Sequence, residues 1–196
     1  MRNKKPVFLT AQWQNLAMLN YEVDPQILLP YLPPFTQLDS FNNKTLVSVV
    51  GFMFNNTKVF RLKWPLHVNF EEVNLRFKNE DLHVSYEWKH KQKWNKIHVV
   101  ADASLTPITR GSEEEFIFEH YWGYNKYNNR TTVEYEVEHV TWQIHKVKNW
   151  SIDNDVAGLY GQQFVPFLKA EPSSVFLAKG SDVVIRKPTF IKKATG

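Results

Sequence analysis

The chain has 196 residues, a net charge of +4 and a pI of about 9.1, and 43% of its residues are hydrophobic. This length suits one domain with an apolar core, and the charge falls short of that of a dedicated nucleic-acid binder. The sequence contains no cysteine. Disulfides, thiolate metal sites and cysteine nucleophiles are therefore excluded.

The sequence shows no targeting segment. No apolar core follows its basic start, so no signal peptide is predicted, and no stretch nears the roughly 20 apolar residues that span a bilayer. We therefore expect a cytoplasmic protein with no membrane partner. Because there is no repeat and no Gly/Ser linker, residues 1–196 are predicted to form a single domain.

The first part of the chain predicts two strands and a short helix. Residues 7–23 read as an extended apolar strand. Asp24 then offers an N-cap and Pro25 a first helical position, and the prolines that follow keep this helix short. Residues 45–54 are apolar at both parities, which is typical of a strand covered on both faces.

The predicted fold class is mainly β (α+β with few short helices), an antiparallel, barrel-like sheet. Closure or strong curvature removes the edges that long apolar strands otherwise expose. Leu82, Val84 and Tyr86 share one face of a predicted strand and are matched by Ile97 and Val99 on the next. The elements predicted after residue 54 are a strand over 67–77, a hairpin over 82–103, a hairpin that pairs 115–124 with 131–139, a helix from Ser151 to about Gly161 and strands within 174–190.

Two histidines are predicted to point at the core. His120 and His139 are in phase with apolar residues of the second hairpin. If Trp122 pairs with Val133, the two histidines lie roughly 13 Å apart at about 3.3 Å per residue, which is too far for one metal ion. No metal is therefore predicted. An inward histidine is often a satisfied core residue, and either one could instead line a functional cavity.

The segment HVNFEEVNLRF, residues 67–77, allows two interpretations. Glu72, Asn74 and Arg76 share one face, while Val73 and its apolar neighbours share the other. The three polar side chains could line a polar pocket in a barrel. They could equally form the solvated face of a strand whose apolar side turns inward.

Other polar residues read as surface. His83 and His98 are in phase with polar residues, so they are predicted to face water. The segment Lys89–Lys96 mixes cations with Trp94, a pattern that can bind single-stranded nucleic acid. A hairpin tip whose lysines prevent edge pairing explains the same residues, and nucleic acid is not an expected partner.

Five segments of the chain form a recognisable set, namely FLTAQWQNLAMLNYEVDPQILLPYLPPFTQLD, SVVGFMF, HVNFEEVNLRF, EYEVEHVTW and LYGQQF with EPSSVFLAKGS. Together they resemble the YqjF-like family of uncharacterised bacterial proteins over nearly the whole chain. That family is similar to acetoacetate decarboxylase. The resemblance implies a mainly β, barrel-like fold around a central cavity.

The decarboxylase mechanism implied by this resemblance uses a Schiff base on a lysine of lowered pKa. Glu72 resembles the carboxylate of the enzyme's Tyr-x-Glu motif, and Gln14 stands where the enzyme would have an arginine. Relatives carry a longer segment between the strand ending at Phe77 and the one starting near Leu82, and the lysines would map there. In this chain only Lys78–Asp81 bridges the two strands. No Schiff-base lysine is therefore predicted.

The sequence predicts a protein that binds a small organic molecule in the barrel cavity without a cofactor. The first alternative is an enzyme of decarboxylase or hydrolase type that acts on a small oxo acid. The second is binding of single-stranded nucleic acid through Lys89–Lys96, and a homo-oligomer is left open. The predicted cavity residues are Glu72, Asn74, Arg76, His120, Tyr135, His139 and Gln14.

Overall fold

The computed structural model describes residues 4–60, 62–63, 72–78 and 80–192, with 62–63 and 72–78 described by their backbone alone. Strands make up most of these residues, which confirms the predicted fold class. The strands are β1 (Val7–Glu22), β2 (Leu46–Val59), β3 (Leu62–Lys63), β4 (Glu72–Lys78), β5 (Asp81–His90), β6 (Lys93–Pro107), β7 (Trp122–Asn128), β8 (Thr131–Glu138), β9 (Gln143–Asp153), β10 (Ser174–Arg186) and β11 (Thr189–Lys192).

The helices of the described residues are short. As predicted, Asp24 caps the first of them, because its side chain accepts a hydrogen bond of 2.8 Å from the Gln26 N–H. None of the described helices has the length and apolar character needed to cross a membrane. The α-helices are α1 (Glu113–Phe118), α2 (Val156–Tyr160) and α3 (Val165–Leu168), and the 3-10 helices are Pro25–Ile27, Leu29–Tyr31 and Gln162–Phe164.

The strands form one antiparallel sheet that curls into a nearly closed barrel. Its strand order is β3-β2-β1-β10-β9-β6-β5-β4, and β8 leaves this path to pair with β10, β11 and β7. A Cβ atom added to Gly51 of β2 would lie 2.6 Å from the ring of Tyr86 on β5. Four strands separate β2 from β5 in the sheet, so this contact crosses the interior of the barrel.

Apolar side chains cover both faces of the sheet. An inner cluster fills the barrel and includes Leu19, Tyr86 and Leu177, each fully buried. An outer cluster packs α1 against the opposite face through Phe118 and Trp142, which are 2% and 4% exposed. Burial on both faces explains why β1, β2 and β10 lack a simple apolar–polar alternation in the sequence.

The first predicted hairpin is confirmed. In β5 and β6, Leu82 lies opposite Ala101, and Tyr86 lies opposite Ile97. The predicted strand 67–77 is seen as β4 from Glu72 onward, while residues 67–71 lie outside the described residues. Lys78 at the end of β4 pairs with Asp81 at the start of β5.

Two predicted elements were wrong at their boundaries. Residues 115–118 belong to α1 and not to a strand, because Ser112 accepts a hydrogen bond from the Glu115 N–H and caps a helix there. The predicted helix from Ser151 begins later, since β9 continues to Asp153 and Asp155 caps α2.

The predicted register of the second hairpin was also wrong. In β7 and β8, Trp122 lies opposite Glu136, three residues beyond the expected partner Val133. Strand β7 continues to Asn128, so two residues form the turn that the sequence had suggested to be longer. The longer β7 shifts every pair along the hairpin.

A bidentate ion pair fastens β8 to β10. The Nε and Nη2 atoms of Arg186 donate to the two carboxylate oxygens of Glu138 at 2.8 and 2.9 Å. Hydrogen bonds from Arg186 and Lys4 lower the pKa of Glu138 to about 2, against a burial effect in the opposite direction. A lowered carboxylate pKa gives stability that is present above the unfolded-state pKa and is lost as the pH falls through the folded value.

We therefore expect Glu138→Gln to reduce the free energy of unfolding by about 1 kcal/mol at pH 7, a modest value because Glu138 is 28% exposed. The deficit relative to the wild type should shrink between about pH 5 and pH 2. Urea unfolding at several pH values measures it. A deficit that stays constant down to pH 2 would contradict the role of the carboxylate charge.

Candidate functional site

The predicted cavity residues of the second hairpin do not meet in the barrel. His120 follows α1, is exposed, and has its Nδ1 3.2 Å from the carbonyl oxygen of Ile117. The core-facing position predicted for it was wrong because the preceding residues form a helix. Tyr135 lies in β8 with its ring over Gly123 of β7, where a Cβ atom would overlap it. Tyr135 thus covers a glycine on the neighbouring strand.

His139 lies just after β8 in a stack of aromatic rings. Its ring centroid is 4.3 Å from that of Trp142 at an angle of 24°, and 4.8 Å from that of Tyr121. Its Nδ1 is 2.9 Å from the carbonyl oxygen of Val140. His139 therefore packs against the outer cluster, to which Trp142 belongs.

The three candidates on β4 are placed by their backbone. Glu72, Asn74 and Arg76 pair with Glu87, Ser85 and His83 of β5. Residues that pair directly across an antiparallel ladder lie on the same face, and this face alternates with the one that carries Leu82, Val84 and Tyr86. Their side chains lie outside the described residues.

Gln14 lies in β1 beside β2. Its side-chain oxygen accepts a hydrogen bond of 3.3 Å from Asn55 Nδ2, and its paired residue on β2 is Met53, which packs against the inner cluster. The family resemblance implies that Gln14 stands in place of an arginine. In the structure, this side chain forms a hydrogen bond with the amide of Asn55. The structure does not bring Gln14 together with His120, Tyr135 or His139.

A different cavity, of about 520 Å³, lies between the start of β6 and the helical segment that follows β9. We call it the hairpin–helix cavity. It joins two stretches of sequence that are far apart in the chain. Its lining residues are Lys93, Trp94, Asp153, Asn154, Asp155, Val156, Ala157, Gln162, Val165 and Lys169.

Asn95 positions the two sides of this cavity. It is 1% exposed, and its Nδ2 donates to the carbonyl oxygens of Trp88 and Lys93 at 3.3 and 3.2 Å. Its Oδ1 accepts a hydrogen bond of 2.8 Å from the Asp155 N–H. The side chain therefore ties the β5–β6 hairpin to the corner between β9 and α2.

Asp155 is occupied by structural contacts. Its carboxylate accepts a hydrogen bond of 3.2 Å from the Gly158 N–H and forms an ion pair of 3.3 Å with Lys93. The Gly158 N–H, followed by Lys93, lowers the pKa of this carboxyl group. Asp155 and Lys93 therefore neutralise each other at the edge of the cavity.

Lys169 forms no ion pair with any described residue, and it contacts the cavity residue Asn154. Asn154 is 4% exposed, and its side-chain nitrogen Nδ2 has no hydrogen-bond partner among the described residues. The Lys169 ammonium donates a hydrogen bond of 2.7 Å to the backbone oxygen of Asn154. A buried polar group without a partner costs about 1–3 kcal/mol, and the accessible surface of this nitrogen is too small for a ligand in the cavity to reach it.

The remaining walls are mostly apolar. Val156 is 1% exposed and Val165 is half-buried, while Trp94 is 54% exposed at the rim. Ligand cavities commonly combine an apolar lining with a few fixed polar groups. The hairpin–helix cavity is more polar than this, since six of its ten lining residues carry a polar or charged side chain.

A family model described as an uncharacterized conserved protein, DUF2071, matches residues 10–80 and 77–182. The chain belongs to the DUF2071 family. No curated protein and no solved structure matches it. All residues that line the hairpin–helix cavity fall in the second block matched by DUF2071. The two blocks overlap at residues 77–80, between β4 and β5.

The DUF2071 chain also carries a polar pair on the outer face of β5 and β6. Ser85 Oγ lies 2.7 Å from His98 Nδ1, and the ring of His83 is 5.8 Å from that of His98. Burial, followed by the charges of His83 and Lys96, lowers the pKa of His98. A neutral His98 can therefore accept the hydroxyl proton of Ser85, which is 8% exposed.

Metal ligation finds no support in the residues that the structure describes. No three side chains of His, Asp or Glu are grouped there in a way that could hold an ion.

Sequence reasoning found one side of the hairpin–helix cavity and missed the other. Lys93 and Trp94 were singled out within Lys89–Lys96, although as a candidate for nucleic acid. Asn154 and Lys169 were not singled out, because neither belongs to a motif or to a strand with regular alternation. The available signal was the run of Asp153 to Asp155 just before a helix, which predicts a cap and a corner.

Proposed function

We propose that this DUF2071 protein binds a small organic molecule in the hairpin–helix cavity. The observation that carries the proposal is a cavity of about 520 Å³ whose lining includes Lys169, an ammonium group that forms no ion pair with any described residue. Pockets for small molecules commonly measure about 300–1,000 Å³. A ligand with an acceptor group would gain a hydrogen bond from the Lys169 ammonium, which uses one of its three donors within the protein.

Binding is better supported than catalysis. A Schiff-base lysine needs apolar, buried surroundings, and no lysine whose side chain is described is buried. The Ser85–His98 pair could serve a hydrolase, but it lies on the outer face of the sheet, and neither residue lines the cavity. We therefore do not extend the proposal to a decarboxylase or a hydrolase.

Several expectations from the sequence stay predictions. They are a relationship to YqjF-like and acetoacetate decarboxylase-like proteins, a bacterial source, a cytoplasmic location and a homo-oligomer. The polar residues of β4 also remain candidates for a second contact region. They pair with Glu87, Ser85 and His83 of β5, and the polar-pocket and solvated-face interpretations of residues 67–77 both stay predictions.

Filling the cavity tests the proposal. Ligand-observed NMR against a library of small organic acids, amines and neutral aromatics should identify compounds that bind the wild type. Ala157→Phe places a ring in the cavity and should weaken their binding at least tenfold. Ala170→Phe is the matched control, because Ala170 is exposed and does not line the cavity. The ligands should shift the side-chain amide resonances of Asn154.

Two results would reject the proposal. One is the absence of any compound that binds the wild type at millimolar concentration. The other is binding that Ala157→Phe and Ala170→Phe affect equally, which would place the ligand elsewhere. Thermal unfolding of both variants checks that each remains folded.

A further inference from the structure

We propose that the ligand of the hairpin–helix cavity is a small planar molecule that carries a carboxylate group. This inference rests on the proposed function and names the chemical class that the site would accept. Two features point to it, namely the Lys169 ammonium group, which forms no ion pair with any described residue, and the exposed indole ring of Trp94.

Lys169 supplies the charge. Its ammonium group donates to the backbone oxygen of Asn154 at 2.7 Å and forms no ion pair with any described residue. The other cation of the lining, Lys93, is paired with Asp155 at 3.3 Å. An ammonium group carries three donors, so two remain on Lys169 for an anionic ligand.

Asn154 holds the Lys169 ammonium in place. It is 4% exposed, and its backbone oxygen accepts the hydrogen bond from Lys169. A carboxylate would accept charge-assisted hydrogen bonds from the two remaining donors of Lys169. Such bonds are roughly twice as strong as those to a neutral acceptor.

Trp94 supplies a flat surface. It is 54% exposed and lines the cavity, so its ring is open to a ligand. Val156 and Val165 line the cavity with Trp94, so the non-ionic part of the ligand meets apolar groups. A planar ring stacks on indole and gains from the same contact.

The acidic residues of the lining do not oppose this assignment. Asp155 is neutralised by Lys93, as described above. Asp153 is exposed, and its ladder partner on β6, Lys96, forms an ion pair with Glu87. Exposed charges are screened by water and salt, so Asp153 weakens the field of Lys169 only modestly.

Benzoate and its neutral isostere benzamide test the inference at pH 7, with acetate as the probe that lacks a ring. Isothermal titration of the full chain should show benzoate binding at least tenfold more tightly than either of the other two. Its affinity should fall as sodium chloride is raised, while that of benzamide should not.

Variants locate each contact. Lys169→Gln should reduce benzoate binding to the level of benzamide, and Trp94→Leu should weaken both aromatic probes by a similar factor. Lys89→Gln is the matched control, since Lys89 belongs to the same hairpin but does not line the cavity. It should leave all affinities unchanged.

The outcomes separate this inference from the proposed function. Equal binding of benzoate and benzamide, or benzoate binding that Lys169→Gln leaves unchanged, overturns the assignment of a carboxylate while ligand binding itself stands. Failure of both aromatic probes to bind also overturns it. The library experiment with Ala157→Phe then decides on its own whether the cavity binds any small molecule.

Discussion

Replacing Tyr86 with alanine is expected to lower the free energy of unfolding by about 3–5 kcal/mol. The side chain crosses the barrel interior from β5, contacts Gly51 of β2 and is fully buried. Its hydroxyl donates a hydrogen bond of 2.7 Å to the backbone oxygen of Asn15 on β1. Alanine would leave a cavity between both walls of the barrel, and the melting temperature should fall by about 10 °C.

Two smaller changes separate packing from hydrogen bonding. Tyr86→Phe keeps the ring but leaves the Asn15 carbonyl without this donor, so we expect a loss of about 1–2 kcal/mol. Tyr21→Phe is the matched control, because Tyr21 is 1% exposed and its hydroxyl has no partner among the described residues. Burial raises the pKa of Tyr21 to about 12.

Tyr21→Phe should therefore change stability by less than about 0.5 kcal/mol or increase it, since it removes a buried polar atom. Urea unfolding of the three variants measures these differences. Equal losses for Tyr86→Phe and Tyr21→Phe would show that the bond to Asn15 contributes nothing specific. A loss below about 1 kcal/mol for Tyr86→Ala would show that the barrel interior is not packed as described.

The parts of the fold that sequence patterns predicted well are those in which one face of a strand is buried. In β5 and β6 the alternation of Leu82, Val84 and Tyr86 with polar residues fixes the register, because a slip of one residue would expose the whole apolar set. The α1 segment was misread because Phe116 and Phe118 suit a strand as well as a short helix. The cap of Ser112 on Glu115 was the signal that distinguishes the two.

The candidate site was harder to predict than the fold because it depends on contacts between distant parts of the chain. Asn95 joins the β5–β6 hairpin to Asp155, 60 residues later, and no local pattern reports that bond. Trp94 could be recognised as an exposed aromatic residue among lysines. Its role depends on Asn154 and Lys169, which only the path of β9 into α2 and α3 brings beside it.

In the neighbouring strands β1 and β10, the positions that pack in the outer cluster switch between odd and even numbers at the same level of the sheet. In β1, Ala11 and Trp13 belong to the outer cluster, whereas Ala17 and Leu19, also odd-numbered, belong to the inner one. Asn15 lies between these pairs with a φ of 53°. Such a residue in the left-handed region turns the side chains that follow it to the opposite face.

Strand β10 makes the same change beside it at Gly180, which has a φ of 79° and pairs with Gln14. Before it, Phe176 and Ala178 pack in the outer cluster; after it, Val183 does. The switch from even to odd positions matches that of β1. The two neighbouring strands can therefore remain paired while both change phase.

Gly180→Ala is expected to cost at least about 3 kcal/mol, because two penalties add. An alanine is strained at this φ, and its Cβ would overlap the backbone oxygen of Trp13, which cannot move without disturbing β1. Gly111→Ala is the matched control, with a φ of 77° and nothing within 4 Å of the added atom. It should cost about 1 kcal/mol, the backbone strain alone.

The difference between the two glycine variants, measured by urea unfolding, isolates the close approach of β10 to β1. If both cost the same, the overlap with Trp13 is relieved cheaply and the paired phase change is not a fixed feature. If Gly180→Ala costs much more, the phase change fixes which side chains of β1 and β10 enter the barrel. Gln14 pairs with Gly180 at this level, so the environment of that amide should change with it.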